Sequence, residues 1–300
     1  METAYQRIQV IVNPAAGNNE PILNTLNDIF KEYDLHWDVS ITHDQGDGER
    51  LAKAAADAGV DLVAAYGGDG TQGEVARGLA NTGVPMAVLP GGTANALAMG
   101  LGIPFDLPSA VRTIFTSRVE PIDLGEANDF TFILRADVGM STRVSQQANR
   151  ELKDRFGLLA YVLAGLQAFG QPEQIQFRLT IDGEQIEAEG IACIVTNHNE
   201  LGALGLKFTP NVSASDGVLD AFVVKDTGSV LAAAANQLAL GESDDVPPGL
   251  THWRGKEFHV ETEQPRDYSI DGDEQGQTPL TVRVLHHALH VLVPENGNVD

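Results

Sequence analysis

The hydrophobic period of this chain changes once, near residue 122, and that change limits the folds open to it. Before it, short apolar runs at Arg7 to Val12, Trp37 to Thr42, Leu62 to Tyr66 and Pro85 to Leu89 read as strands. They alternate with segments of helical spacing: Ile22, Leu23, Leu26, Ile29 and Phe30 form one apolar stripe, and Leu51, Ala54 and Ala55 suggest a second. Strands that alternate with helices need crossover connections, which are right-handed and make the sheet parallel. Beyond the change, Ile175, Phe177, Leu179 and Ile181 alternate with polar residues, Asp182-Gly183 supplies a hairpin turn, and Ile186 and Ala188 resume the alternation. Further strands are expected at Gly190 to Val195, Val218 to Val224, Phe258 to Glu263, Pro279 to Val284 and Ala288 to Val293, with helices near 144–169 and 228–240. The expected fold is an α/β N-terminal domain with a parallel sheet, residues 1–122, followed by a mainly antiparallel β domain, residues 123–300. A cleft between them is the expected place for chemistry.

In a parallel sheet, ligands belong at the carboxyl ends of the strands. Three such ends carry turn chemistry: VNPAAGN (12–18), YGGDGTQG (66–73) and LPGGTAN (89–95). The second runs an apolar stretch into Gly67, Gly68, Gly70 and Gly73 and then into a helical segment. Glycines without Cβ atoms let successive backbone N–H groups point at an anion, and the helix adds its positive end, so phosphate binding is expected. Gly68-x-Gly70-x-x-Gly73 has the letters of a dinucleotide fingerprint, but no acidic residue follows at about 20 residues to hold a ribose. There is no GxxxxGK[ST] either. The loop carries no lysine, so backbone amides and a metal ion have to neutralise the phosphates.

Composition narrows the partners. With 19 basic and 42 acidic residues the formal charge is −23, which argues against nucleic acid and against non-specific attraction to anionic membranes. A single cysteine, Cys193, excludes an intramolecular disulfide, the N-terminus lacks a signal-peptide core, and no apolar run reaches the ~20 residues of a membrane span. A cytoplasmic location is the expectation. His286, His287 and His290 lie in strand pattern without HExxH or a cysteine partner, which argues against a zinc site.

Six segments in order, NPAAG (13–17), GGDGTQGEVARGL (67–79), LPGGTANALAMGLGIP (89–104), IDLG (122–125), DGVLD (216–220) and IDGD (270–273), resemble the diacylglycerol kinase catalytic-domain family, which includes bacterial lipid kinases and sphingosine and ceramide kinases. The resemblance spans nearly the whole chain. It implies a nucleotide-binding N-terminal domain, a β-rich lipid-substrate domain, ATP and Mg²⁺ as cofactors, and transfer of the γ-phosphoryl group to a hydroxyl of diacylglycerol or a related lipid. By position it implies ATP contacts from Asn13, Pro14, Gly17, Thr42, Gly67, Gly68, Asp69, Gly70, Thr71, Gln72, Gly73, Thr93 and Asn95. It further implies an Mg²⁺ site at Asp216 completed by backbone oxygens near Ser213 and Val218, and a contact of Asp123 with the acceptor's polar head. Asp182-Gly183-Glu184 spells the family's acidic motif, but that motif follows DGVLD in order, so the catalytic role falls to the 271–273 segment. Whether Asp271, Asp273 or Asp69 is the base stays open. Gly73 and Ala96 depart from the usual Asn and Asp and put the metal geometry in question.

The partners expected are a lipid met by peripheral contact at a membrane surface, a second copy in a homodimer, and no nucleic acid. The segment 143–169, with Arg143, Arg150, Lys153 and Arg155 against Glu151 and Asp154, reads either as an interfacial amphipathic element or as a helix covering the β domain. Two alternatives remain to the kinase reading. An NAD kinase shares the GGDGT loop, although PGGTAN and IDGD argue against it. A non-catalytic nucleotide- or lipid-binding regulator would keep the glycine loops.

Overall fold

The computed structural model describes residues 4–17, 20–139, 173–198, 212–226, 228–229, 246–297 and 299. The helix expected at 144–169, with its amphipathic segment, and nearly all of that expected at 228–240 lie outside the described residues. The chain forms two compact units, Met1–Leu124 with His286–Asp300, and Gly125–Leu285. The sequence division at 122 assigned the whole C-terminal stretch to the second unit. Its last segment instead returns to the first, because Val291 pairs in parallel with Met86.

In the first unit, strands β1 (Arg7–Val12), β2 (His36–Ile41), β3 (Leu62–Gly67) and β4 (Met86–Pro90) form a parallel sheet in the order β2-β1-β3-β4. Every residue of β3 and β4 is buried, as their unbroken apolar runs require of central strands. Strand β2 buries none of its residues, the mark of an edge. Helix α1 (Ile22–Phe30) buries Leu26, Ile29 and Phe30 but leaves Leu23 53% exposed, so the stripe is narrower than its letters suggest. Helix α2 (Asp47–Asp57) buries Ala52 and Ala55 rather than Ala54. Four alanines in six positions do not fix a face; packing against helix α3 (Asp69–Leu79) does. Helices α4 (Ala96–Gly100) and α5 (Leu107–Thr113) lead to β5 (Arg118–Ala127).

The second unit is antiparallel. One six-stranded sheet takes in β7 (Arg135–Val138), β10 (Ala192–Thr196), β11 (Leu219–Val224), β12 (Leu250–Gly255), β14 (Asp267–Ile270) and β15 (Asp273–Gln277), in the order β12-β11-β10-β7-β14-β15. Opposite it lie β8 (Ile175–Ile181), β9 (Glu184–Gly190), β13 (Glu257–Thr262) and the first part of β16 (Leu280–Val293), with β6 (Phe130–Phe132) paired to β5. Phe177, Phe258 and Leu280 from one layer share a core with Val138, Val195 and Leu219 from the other. The period-two pattern of β8 is the direct cause, since its apolar residues all face that core.

His198, two residues past β10, is 9% exposed, and burial pushes its pKa down to about 4. The unfolded chain takes up this proton near 6.5, so stability contributed by His198 is lost as pH falls through the window between those values. Burial acts with the opposite sign on Asp137, raising its pKa, so stability from that group falls as pH rises above the ordinary carboxylate value. His198→Gln should therefore flatten the acid limb of a urea-midpoint profile relative to the parent, by up to about 1.4 kcal/mol per pH unit. Superimposable profiles would reject this.

Candidate active site

The glycine loop sits where β3 passes into α3, at the carboxyl edge of the parallel sheet. Gly68 is the N-cap of α3 in an extended conformation and makes no side-chain cap hydrogen bond, and the first N–H groups of a helix point at the space in front of it, where an anion can be held. Gly70 faces open space, and a Cβ there would meet nothing within 4 Å. Across from it, the loop after β4 comes backbone to backbone: a Cβ on Gly92 would lie 2.5 Å from Gly68 Cα. Pro14, Gly17, Gly70, Gly92 and Thr93 are exposed on these loops.

Several residues expected to touch nucleotide also brace the cradle from within. Gln72 is 2% exposed, and its side-chain amide shares its N–H groups among the carbonyls of Ala65 (3.1 Å), Gly67 (3.2 Å) and Leu89 (3.2 Å). It ties the ends of β3 and β4 together, so its side chain has a structural role in the cradle. Asn13 donates to Thr71 Oγ1 at 3.0 Å and accepts from Ala15 N at 2.9 Å, joining the loop after β1 to α3. Gly17 N donates to Gly91 O at 2.6 Å. Its φ of +87° and a virtual Cβ 2.0 Å from the Tyr66 hydroxyl admit only glycine. Tyr66 is fully buried and donates to Glu20 Oε1 at 2.6 Å; burial and then that carboxylate raise its pKa. Asn95, in the left-handed region, accepts from Gly92 N at 2.8 Å and donates to Gly92 O at 3.0 Å. Thr42 is buried and hydrogen-bonds Val12 O through its N–H. Gly73 lies buried in α3. Replacing Gln72 with Leu removes the donor from three buried carbonyls, and a loss of about 2–4 kcal/mol in urea unfolding is expected.

Asp69 has a role its letters did not disclose. Its Oδ1 accepts from Leu97 N at 3.3 Å, which ties the glycine loop to the start of α4 beside Ala96. Glu74, one turn further along α3, accepts from Gly46 N (2.8 Å) and Gly48 N (2.9 Å) and so holds the N-terminus of α2. An acidic residue six positions past the glycine that caps the helix was the signal for this clasp.

In the second unit, the two acidic look-alikes are both hairpin turns with two left-handed residues: Asp182 and Gly183 at φ 49° and 90°, Asp271 and Gly272 at φ 48° and 94°. Asp182 accepts from Lys256 N and Glu257 N and organises a neighbouring turn. Asp271 accepts from Ile133 N (3.1 Å), Leu134 N (2.9 Å) and Arg135 N (3.0 Å). Its carboxylate is thus spent on backbone, whereas Asp273, opening β15, is exposed.

Asp216 is held by Arg254, whose Nη2 donates to Oδ2, and by Val218 N, which donates to Oδ1 at 3.2 Å. The same guanidinium lies 3.4 Å from the fully buried Asp220, which also bonds His252 Nε2 at 2.5 Å. The Arg254 guanidinium thus pairs with the carboxylate of the expected Mg²⁺ site and with its buried neighbour Asp220. The Ser213 hydroxyl accepts from Ser215 N at 3.2 Å, a contact separate from the backbone oxygens expected at the Mg²⁺ site. Asp123, in β5 of the first unit, is fully buried and accepts from His286 Nδ1 (2.8 Å) and His287 N (2.7 Å).

A glycine-rich loop on the carboxyl edge of a parallel sheet, followed in the chain by an antiparallel two-layer unit, is a plan shared by phosphotransferases that act on nucleotides or lipids. Residues 7–127 match the diacylglycerol kinase catalytic domain, residues 135–293 match the YegS C-terminal NAD kinase beta sandwich-like domain, and the chain belongs to this family. It is 28% identical to diacylglycerol kinase of Bacillus subtilis over 97% of each chain. It is 31% identical to the probable lipid kinase YegS-like of Klebsiella pneumoniae over 93% of each. It also shares 32% identity with the uncharacterized Synechocystis protein sll0036, over 85% of this chain and 58% of that one. The crystal structure of a diacylglycerol kinase from Bacillus anthracis superimposes with a TM-score of 0.80 at 28% identity, covering 98% of both chains.

Proposed function

We propose that this chain transfers the γ-phosphoryl group of MgATP to a hydroxyl of diacylglycerol or a closely related lipid. The observation that carries the reading is the lysine-free cradle, in which Gly68 and Gly70 open a helix whose N-cap makes no side-chain hydrogen bond, with the Gly92 turn packed against them. Bound as part of MgATP, the metal would screen the phosphates, while the loop N–H groups and helix dipole hold the anion. The lipid oxygen forms its bond to the γ-phosphorus while the bond to the β,γ-bridging oxygen breaks and ADP leaves. Asp273 accepts the hydroxyl proton. Asp271 fixes the turn that presents it.

The reading is tested by incubating the full chain with γ-labelled ATP, Mg²⁺, NAD and vesicles containing diacylglycerol. Label in the organic phase supports it. Label in NADP means an NAD kinase, and nucleotide binding without transfer to either means a regulator.

A further inference from the structure

Consecutive side chains on a strand point to opposite faces. His286 and His287 in β16 do not: His287 has φ 52°, and the break brings the two rings together, centroids 3.7 Å apart with planes 29° from parallel. Beside them the buried Asp123 accepts from both His286 Nδ1 and His287 N through one oxygen, Oδ1. One ligand atom from each of the three residues lies within 4.8 Å of the others. Glycine occupies a left-handed position without steric cost, yet the chain places an imidazole there. Asp123 would tie down the break through His287 N whatever the side chains at 286 and 287 were.

We propose that Asp123, His286 and His287 form a site for a divalent transition ion of the zinc class. Two imidazole nitrogens and one carboxylate oxygen suit Zn²⁺, Co²⁺ or Ni²⁺, whereas Mg²⁺ and Ca²⁺ prefer oxygen throughout. The ion replaces the proton shared between His286 Nδ1 and Asp123 Oδ1, and that proton is released to solvent. Asp123 is fixed by burial and by the His287 N–H, so one ligand is already in place. The His286 side chain is 52% exposed, which leaves the remaining coordination position to water. The sequence set zinc aside for want of a HExxH or cysteine signature. The third ligand lies 163 residues away from His286, on a strand that β16 pairs with, so only the fold brings it in.

The probe is Co²⁺, titrated into chelator-treated full chain without nucleotide and with excess Mg²⁺ to fill oxygen-only sites. The expected result is one equivalent bound, with the visible absorption of low-coordinate cobalt, removed by added Zn²⁺. His287→Gly suits the backbone at that position and so keeps the fold. It and His286→Gln should each weaken binding by about 10–100-fold, while His290→Ala should leave it unchanged. Absence of a bound equivalent, undiminished binding in the His286→Gln/His287→Gly double variant, or loss in His290→Ala would overturn the site. Because no nucleotide or lipid is present, the outcome is independent of the kinase reading.

Discussion

Asp273→Asn is expected to lower phosphoryl transfer by about 10²–10⁴-fold, the range for losing a positioned general base, with nucleotide affinity and urea midpoint unchanged. The carboxylate is exposed at the first residue of β15, and neutralising it disturbs no core. Asp271→Asn gives the contrasting result. Its oxygens accept three backbone N–H groups at Ile133, Leu134 and Arg135, and hydrogen bonds to a charged acceptor contribute about 1.5–3 kcal/mol each before the amide's partial replacement of them is counted. That variant should unfold at lower urea, and its activity should recover in step with its folded fraction when the temperature is lowered. Two measurements on each variant, turnover and unfolding midpoint, separate the roles. An active Asp273→Asn, or an inactive Asp271→Asn of parental stability, would reverse the assignment.

Those two residues also show what the letters disclosed. The hairpin turn at Asp182-Gly183 is legible because both its φ angles are left-handed and few dipeptides adopt them. The same physics makes Asp271-Gly272 a turn, and nothing in the sequence says which carboxylate beside it is spent on backbone. The parallel strands were readable from apolar runs bounded by turns, and β3 and β4 end within a residue of where those runs predict. Strand β16 was read as two, because the left-handed residue at His287 interrupts its alternation without ending it. Strands β5, β12 and β14 were not read because their mixed polar faces carry little period.

The site was legible in its glycines and less so in its side chains. A loop's backbone donors follow from residue type, since only glycine allows two turns to touch. The direction of a polar side chain follows from neighbours far along the chain. Asn13 finds Thr71 and Gln72 finds Leu89, both on other strand–loop–helix units. Arg254 reaches Asp216 and Asp220 only because β11 and β12 pair with Asp220 opposite Arg254. Such register is set by whole strands, so a short motif cannot announce it.

Gly92→Ala is the sharper test of the cradle. The need at this position is space: a Cβ would stand 2.5 Å from Gly68 Cα and 2.9 Å from Asn95 Oδ1, and the first of these is backbone that cannot rotate away. Relief requires the loop after β4 to withdraw from the start of α3, at a strain of about 1–3 kcal/mol typical of overpacking. Gly92 is exposed, so the strain is released by opening the cradle rather than by loosening the core. ATP affinity measured by calorimetry should fall roughly tenfold to a hundredfold, since about 1.4 kcal/mol is a factor of ten, with little change in unfolding midpoint. Gly70→Ala is the companion. Its Cβ meets no protein atom within 4 Å, so any loss of affinity there comes from the methyl group meeting the nucleotide itself. If both variants bind ATP as the parent does, the phosphates do not rest on these loops. If Gly92→Ala fails and Gly70→Ala binds normally, the anion sits nearer the β4 side of the cradle than the first turn of α3.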